Sequence, residues 1–204
     1  MSRTAKFLTG VIATALCGVM SPAFASPATA AESADPSGPG AVQKLSAAEV
    51  KAFEQENPEE DARLKADSVR RHGGAAARGT YVRIHNKNSN KCLAIGNSSQ
   101  ENGAHAIQWK CLDSNAQLWY IDGHFVQNAA SGKYLAIGSS STANGAHAIQ
   151  WDYTGSKGQQ WTWSGEFFWN NNSGKYLAIG SSSTEDGAHA LQWEYTGSDG
   201  QRWW

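Results

Sequence analysis

The phrase Gly103-Ala104-His105-Ala106-Ile107-Gln108-Trp109 returns almost unchanged from Gly145 and again, with one Ile-to-Leu change, from Gly187. Trp109, Trp151 and Trp193 stand 42 residues apart, a strict register that marks a repeat architecture. Each unit carries four short apolar runs of strand length, separated by turn clusters of Asn, Ser, Gly and Lys. Twelve strands are predicted from Thr80 to the end. Three units of four strands are too few blades for a propeller and too long for a single hairpin array, so the count fits an all-β fold of the β-trefoil type.

Two cysteines lie inside the repeats. Cys92 aligns on the period with Tyr134 and Tyr176, and Cys111 aligns with Tyr153 and Tyr195, so both members of the pair are replaced together. The chain opens with a basic start (Arg3, Lys6) and an apolar stretch from Phe7 to Met20. Two small-x-small cleavage patterns follow, Ala23-Phe24-Ala25 and Ala28-Thr29-Ala30, the pattern of a secretory signal peptide over 1–31. Cys17 has poor lipobox neighbours in Thr14 and Leu16. Export to an oxidising compartment makes a Cys92–Cys111 disulfide the default, with tyrosine pairs in its place in the other two units.

Residues 32–79 contrast with the repeats: they hold no tryptophan and few large apolar residues. The run Ser33-Ala34-Asp35-Pro36-Ser37-Gly38-Pro39-Gly40-Ala41 reads as a flexible linker. Ser46 with Glu49 three residues on forms a capping box for a first helix. A second helix is predicted with Asn57 as N-cap, Pro58 at the first position, and Arg70, Arg71 and His72 near the end, stopped by Gly73-Gly74. The apolar face (Leu45, Val50, Phe53, Leu64, Val69) is too thin for a core of its own. Packing on the repeats, pairing with another chain, a pro-segment and partial disorder all stay open.

Gln117-Leu118-Trp119, Gln159-Gln160-Trp161 and Gln201-Arg202-Trp203 are again 42 apart. Together with the Lys-Cys/Tyr-Leu-Ala-Ile-Gly strand and the paired cysteines, these triplets resemble the Q-x-W motif of ricin B-type lectin domains. The resemblance covers 80–204, roughly 60 % of the chain, and implies a disulfide-stabilised β-trefoil that binds carbohydrate. Period two puts the Gln and Trp of each triplet on one face, so Trp119, Trp161 and Trp203 are expected in the core, with Gln117, Gln159 and Gln201 satisfying backbone groups at a turn.

The family has one shallow pocket per repeat, where an aromatic ring stacks on the sugar. Trp109, Trp151 and Trp193 match that position; the competing expectation is that they are drawn inward with the disulfide face. Two departures stand out. The aspartate of galactose-binding members, directly after the Cys-Leu of the second strand, is here Ala94, Ala136 and Ala178, and the Asn common before Q-x-W is Ala116, Gly158 and Gly200. What repeats instead is Asn102, Asn144 and Asp186 before the loop glycine, and His105, His147 and His189 after it. These nine residues, the three tryptophans with the loop Asn/Asp and His, are the candidate glycan contacts, with backbone capping as the other reading of the histidines. A metal held by the three histidines requires them to converge on the pseudo-threefold axis; loop residues usually lie off it, so no metal and no cofactor are expected.

Net charge of −1 argues against a nucleic-acid surface, and no stable membrane insertion is expected. No nucleophile elbow or zinc-protease motif occurs, and carboxylates do not recur as matched pairs, so the chain is not expected to be an enzyme. The expected partners are extracellular glycans, polysaccharide or glycoprotein, bound weakly at up to three sites that linkage makes effective. The alternative is a protein-binding or structural β-trefoil that has lost sugar binding.

Overall fold

The computed structural model describes residues 42–204, so the signal-peptide pattern over 1–31 and the Ser33–Ala41 linker lie outside the described residues. Strand β1 (Gln43–Lys44) leads into helices α1 (Ala47–Glu56) and α2 (Pro58–Arg71). The first repeat contributes β2 (Thr80–Arg83), β3 (Cys92–Ile95), β4 (Ala106–Trp109) and β5 (Trp119–Asp122). The second contributes β6 (Phe125–Asn128), β7 (Tyr134–Ile137), β8 (Ala148–Trp151) and β9 (Trp161–Ser164). The third supplies β10 (Phe167–Asn170), β11 (Tyr176–Ile179) and β12 (Ala190–Trp193). Its fourth strand shrinks to a bridge between Trp203 and Asn86, which joins the end of the last repeat to the start of the first. The twelve predicted strand positions are therefore eleven strands and one bridge.

Within each repeat the two middle strands form a hairpin: β3–β4, β7–β8 and β11–β12 pair in one register, with Cys92, Tyr134 and Tyr176 opposite Trp109, Trp151 and Trp193. Alternation along these strands sorts the side chains. Leu93 and Ile95 turn into the core with Ala106, and the same holds for Leu135, Ile137 and Ala148, and for Leu177, Ile179 and Ala190. The Q-x-W tryptophans complete that core, fully buried, and each indole Nε1–H donates to the carbonyl of the leucine 26 residues earlier: Trp119 to Leu93 (2.9 Å), Trp161 to Leu135 (3.0 Å) and Trp203 to Leu177 (3.0 Å). Gln117, Gln159 and Gln201 each use both ends of the amide on the backbone. Gln159 Oε1 accepts from the Thr154 N–H (2.8 Å) while its Nε2 donates to the Asp152 carbonyl (2.7 Å).

The disulfide joins Cys92 and Cys111, with Cα atoms 5.0 Å apart. In the other repeats the rings of Tyr134 and Tyr153 sit 5.2 Å apart, and those of Tyr176 and Tyr195 5.1 Å apart. The leader packs on the repeats. Ser46 and Glu49 form the capping box, and Pro58 opens α2, but Asn57 does not cap α2 through its side chain: its Nδ2 donates to the Phe53 carbonyl and its Oδ1 accepts from Asn115. β1 pairs with β2, and Phe53 and Leu64 are buried against Tyr81, Leu118, Tyr120 and Ala129. At the end of α2, Arg71 makes a nearly solvent-free ion pair with Asp122 (2.6 Å; side chains 7 % and 2 % exposed), and His72 Nε2 lies 2.8 Å from the same carboxylate. Burial presses the Asp122 carboxyl upward, but hydrogen bonds from His72, Ser68 and Arg71 and the Arg71 charge outweigh it and hold the group below the ordinary aspartate range.

Three outcomes follow. Removing one partner of a buried pair strands the other, so Asp122→Ala should cost about 3–5 kcal/mol in urea unfolding at neutral pH. Because the folded carboxyl titrates low, its contribution is complete above the unfolded value near pH 4 and fades as pH falls through the folded value; Asp122→Asn should flatten that acid limb. Reducing Cys92–Cys111, which closes a loop of 19 residues' separation, should cost about 3 kcal/mol and add two hydrogens to the intact mass.

Candidate functional site

Each repeat presents one pocket of the same construction. In the third it is lined by Ala178, Gly180, Ser181, Ser182, Leu191 and Trp193, together with Thr196, Ser198 and Gln201. The second repeat reproduces it around Ala136 and Trp151, and the first around Ala94 and Trp109. The strand alternation that buries Ala106 and Gln108 turns Ile107 and Trp109 outward, so the indoles of Trp109, Trp151 and Trp193 are 37 %, 42 % and 40 % exposed. The disulfide does not draw them inward. The pocket floor is thus an alanine and an Ile or Leu, and the wall is an indole.

The opposite rim is a turn of two successive residues in the left-handed region: Asn97 and Ser98, Ser139 and Ser140, Ser181 and Ser182, with φ from 49° to 55°. Such a conformation is costly away from glycine and is characteristic of sites where the surroundings hold it in place. Here Asn172 Nδ2 donates to the Ser140 carbonyl (2.8 Å) and Asn88 Nδ2 to the Ser182 carbonyl (2.7 Å), each reaching across from another repeat. Position 130, on the same period, is alanine, and the Ser98 carbonyl accepts instead from Gln100 Nε2.

The repeats are not equivalent. The second and third pockets hold about 300 Å³ each, the first about 180 Å³. Where the larger pockets have Thr154 and Thr196, the first has Leu112; where they have Gly158 and Gly200, it has Ala116. A Cβ on Gly200 would stand 2.7 Å from Ser182 Oγ, so a side chain there would push that hydroxyl aside. The first pocket instead opens beside a cleft of about 450 Å³ between α1 and the 113–116 loop, sharing Ser98, Ser114 and Ala116 with it.

Asn102, Asn144 and Asp186, candidate glycan contacts from the sequence, are not among the residues lining these pockets. Each clasps the residue just past the end of β8, β12 or β4 in another repeat. Asn102 Oδ1 accepts from the Asp152 N–H (2.9 Å) and its Nδ2 donates to Asp152 Oδ2 (2.7 Å). Asn144 Oδ1 accepts from the Glu194 N–H (3.0 Å), and Asp186 Oδ1 accepts from the Lys110 N–H (2.8 Å) and pairs with Lys91. The adjoining glycines lie over the next indole at φ 80–84°: a Cβ on Gly103 would be 3.6 Å from Trp151, one on Gly145 3.5 Å from Trp193, and one on Gly187 3.7 Å from Trp109.

The histidines also leave the pockets, and they are not off the axis. His105, His147 and His189 come together in one cluster, with ring centroids 4.7, 4.6 and 4.9 Å apart. Desolvation first, then the neighbouring imidazoles, hold His105 and His147 below the ordinary histidine value. Sequence reasoning missed the serine turn, although the recurring Ile-Gly-Asn/Ser-Ser was its visible signal, and it passed over Gln108, Gln150 and Gln192, which are fully buried.

Residues 80–203 match the model of the ricin-type beta-trefoil lectin domain. Among solved structures, the chain is similar to a designed three-fold symmetric protein, ThreeFoil, at 33 % identity and TM-score 0.57, over 60 % of this chain and 95 % of that one. It is similar to an exo-beta-1,3-galactanase from Clostridium thermocellum at 30 % identity and TM-score 0.55, over 59 % of this chain but 28 % of that enzyme. The C-half of an earthworm R-type lectin, solved with GalNAc, shares the fold at 21 % identity and TM-score 0.52, over 61 % of this chain and 95 % of that one. No curated protein matches the chain in sequence.

The partition of the tryptophans can be checked by stability alone. Trp119→Ala should cost about 3–5 kcal/mol by opening a core cavity, whereas Trp109→Ala, Trp151→Ala and Trp193→Ala should each cost about 1 kcal/mol or less in thermal or urea unfolding.

Proposed function

The chain belongs to the ricin-type beta-trefoil lectin domain family, and from that premise we propose that it is a secreted carbohydrate-binding protein with up to three weak glycan sites, one at each tryptophan pocket. The observation that carries the reading is the threefold recurrence of an exposed indole on an apolar floor, faced by a rim of hydroxyls. An aromatic face takes the apolar face of a pyranose, and the serine and threonine hydroxyls supply donors and acceptors for its hydroxyl groups.

The polar set differs from the usual one. Alanine at positions 94, 136 and 178 removes the carboxylate that would grip two adjacent hydroxyls, so the ligand is a sugar held mainly by stacking and by neutral hydroxyl contacts. Weak single sites suit a target that itself repeats, and extracellular polysaccharide or a dense glycoprotein surface meets that condition. The role is binding rather than catalysis. The N-terminal signal pattern supports secretion. The alternative role, a protein-binding trefoil, keeps its place as one outcome of the test.

The test is a panel of soluble polysaccharides and glycans titrated against the mature chain, followed by tryptophan fluorescence. Saturable binding that free sugar competes is expected, and the triple variant W109A/W151A/W193A should lose it while keeping its far-UV spectrum. Single tryptophan variants should lower avidity for polysaccharide by about 10- to 100-fold while leaving monosaccharide binding at the other sites intact. A blank across the panel from folded protein would overturn the lectin reading and turn attention to protein partners.

A further inference from the structure

The strongest feature left over by the glycan reading is the histidine cluster. The three residues enter from three different repeats, and each is pinned by its backbone: His105 bridges Ile149, His147 bridges Leu191 and His189 bridges Ile107. Their carbonyls accept from the N–H groups of Gly96, Gly138 and Gly180, at 3.0 Å in every case. The rings therefore meet because the strand starts meet.

From this geometry we propose that His105, His147 and His189 form a metal site on the pseudo-threefold axis, one imidazole from each repeat, that takes a borderline divalent transition-metal ion, zinc foremost. One ring nitrogen from each residue can be chosen so that all three lie within 4.8 Å of one another. His147 Nδ1 and His189 Nδ1 are 3.2 Å apart. Two nitrogens each about 2.0–2.1 Å from one tetrahedral zinc ion stand roughly 3.3–3.4 Å apart, so this edge is already at coordination spacing. The third residue brings an orphan: His105 Nδ1 is buried and has no hydrogen-bond partner. A buried imidazole nitrogen without a partner is costly, and a metal ion relieves it directly.

The donor set selects the class of ion. Three imidazoles with no carboxylate in the group suit Zn²⁺, Cu²⁺ or Ni²⁺ and not Ca²⁺ or Mg²⁺, which take oxygen ligands. Ligation requires neutral rings, and the depressed proton affinity of His105 and His147 serves that requirement. His147 and His189 are exposed, which leaves an approach for the ion and room for a water as fourth ligand. The other histidine group among the described residues, His85 with Cys92 and Cys111, has its two sulfurs committed to the disulfide. An ion held by one residue from each repeat ties all three together, so its effect is to stabilise the closed threefold arrangement.

The experiment uses the untagged mature chain, stripped with chelator and titrated with zinc chloride by calorimetry, with cobalt substitution as an optical reporter. One zinc per chain is expected, together with a rise in thermal midpoint of about 5 °C at saturating zinc and visible cobalt absorption of a tetrahedral nitrogen site. His147→Ala, an exposed position, should weaken binding at least tenfold, and H147A/H189A should abolish it, each with an unchanged far-UV spectrum, while His85→Ala keeps the full stoichiometry. No saturable zinc binding near one equivalent, or binding that H147A/H189A leaves unaltered, would overturn the site.

Discussion

The structure depends on a closed ring of loop-on-strand contacts. The Gly103 N–H donates to the Gln150 carbonyl and the Gln150 N–H donates back to the Ala104 carbonyl, each at 2.9 Å. Gly145 and Ala146 do the same with Gln192, and Gly187 and Ala188 with Gln108, which returns the ring to its start. The three glutamine side chains lock it. Gln150 Nε2 donates to the carbonyls of Ser99 and Glu101, and its Oε1 accepts from Ser131; Gln192 and Gln108 repeat the pattern with carbonyls of the second and third loops. All three are fully buried, so each substitution there would remove the donors that hold those loop carbonyls.

Several features follow from that ring. A loop whose own partner lies in the next repeat cannot be satisfied within one unit, so the threefold arrangement must close to exist at all. Docking the loop lays a glycine over the neighbouring indole and brings the adjacent histidine to the axis. The same register that buries Gln108 turns Trp109 out, because the two are adjacent on a strand of period two. Pocket, clasp and histidine cluster are three consequences of one hydrogen-bond pattern.

What could be read from the chain alone was whatever repeats locally or lies on one strand. The 42-residue register, the burial of Trp119, Trp161 and Trp203, the Cys92–Cys111 pairing and the Ser46–Glu49 capping box all rest on short-range spacing or on the period itself. Asn102 and His105 did not yield to that reasoning, because what they touch belongs to another repeat: Asp152 lies 50 residues from Asn102, and the partners of His105 lie 42 and 84 residues away. A polar residue on a glycine loop beside an exposed tryptophan looks like a ligand contact until the loop's docking site is known. The fate of Asn57 has the same cause. Its side chain is claimed by Asn115, a residue of the first repeat, and the local capping signal loses to that tertiary contact.

The asymmetry between repeats has a related explanation at the base of each hairpin. In the second repeat the Tyr134–Tyr153 pair is covered by Phe125 and by Arg71, whose guanidinium stands 5.2 Å from both the Phe125 and Tyr134 rings and donates to the Tyr134 hydroxyl. That arginine comes from α2 and carries its own counter-ion, Asp122. In the third repeat Phe167 covers Tyr176 and Tyr195, and the cation is Arg202 from the chain's end, 5.7 Å from the Phe167 ring. In the first repeat, position 83 on the same period is an arginine engaged with Asp113 rather than a phenylalanine, and the covering contact is His85 stacked on Trp204. Both tyrosine pairs thus have a phenylalanine and a cation on their flank; in the first repeat, where the arginine at position 83 is engaged with Asp113, the covalent bond between Cys92 and Cys111 holds the strands. The leader is therefore not an appendage to the trefoil but the source of the cation that completes its second hairpin.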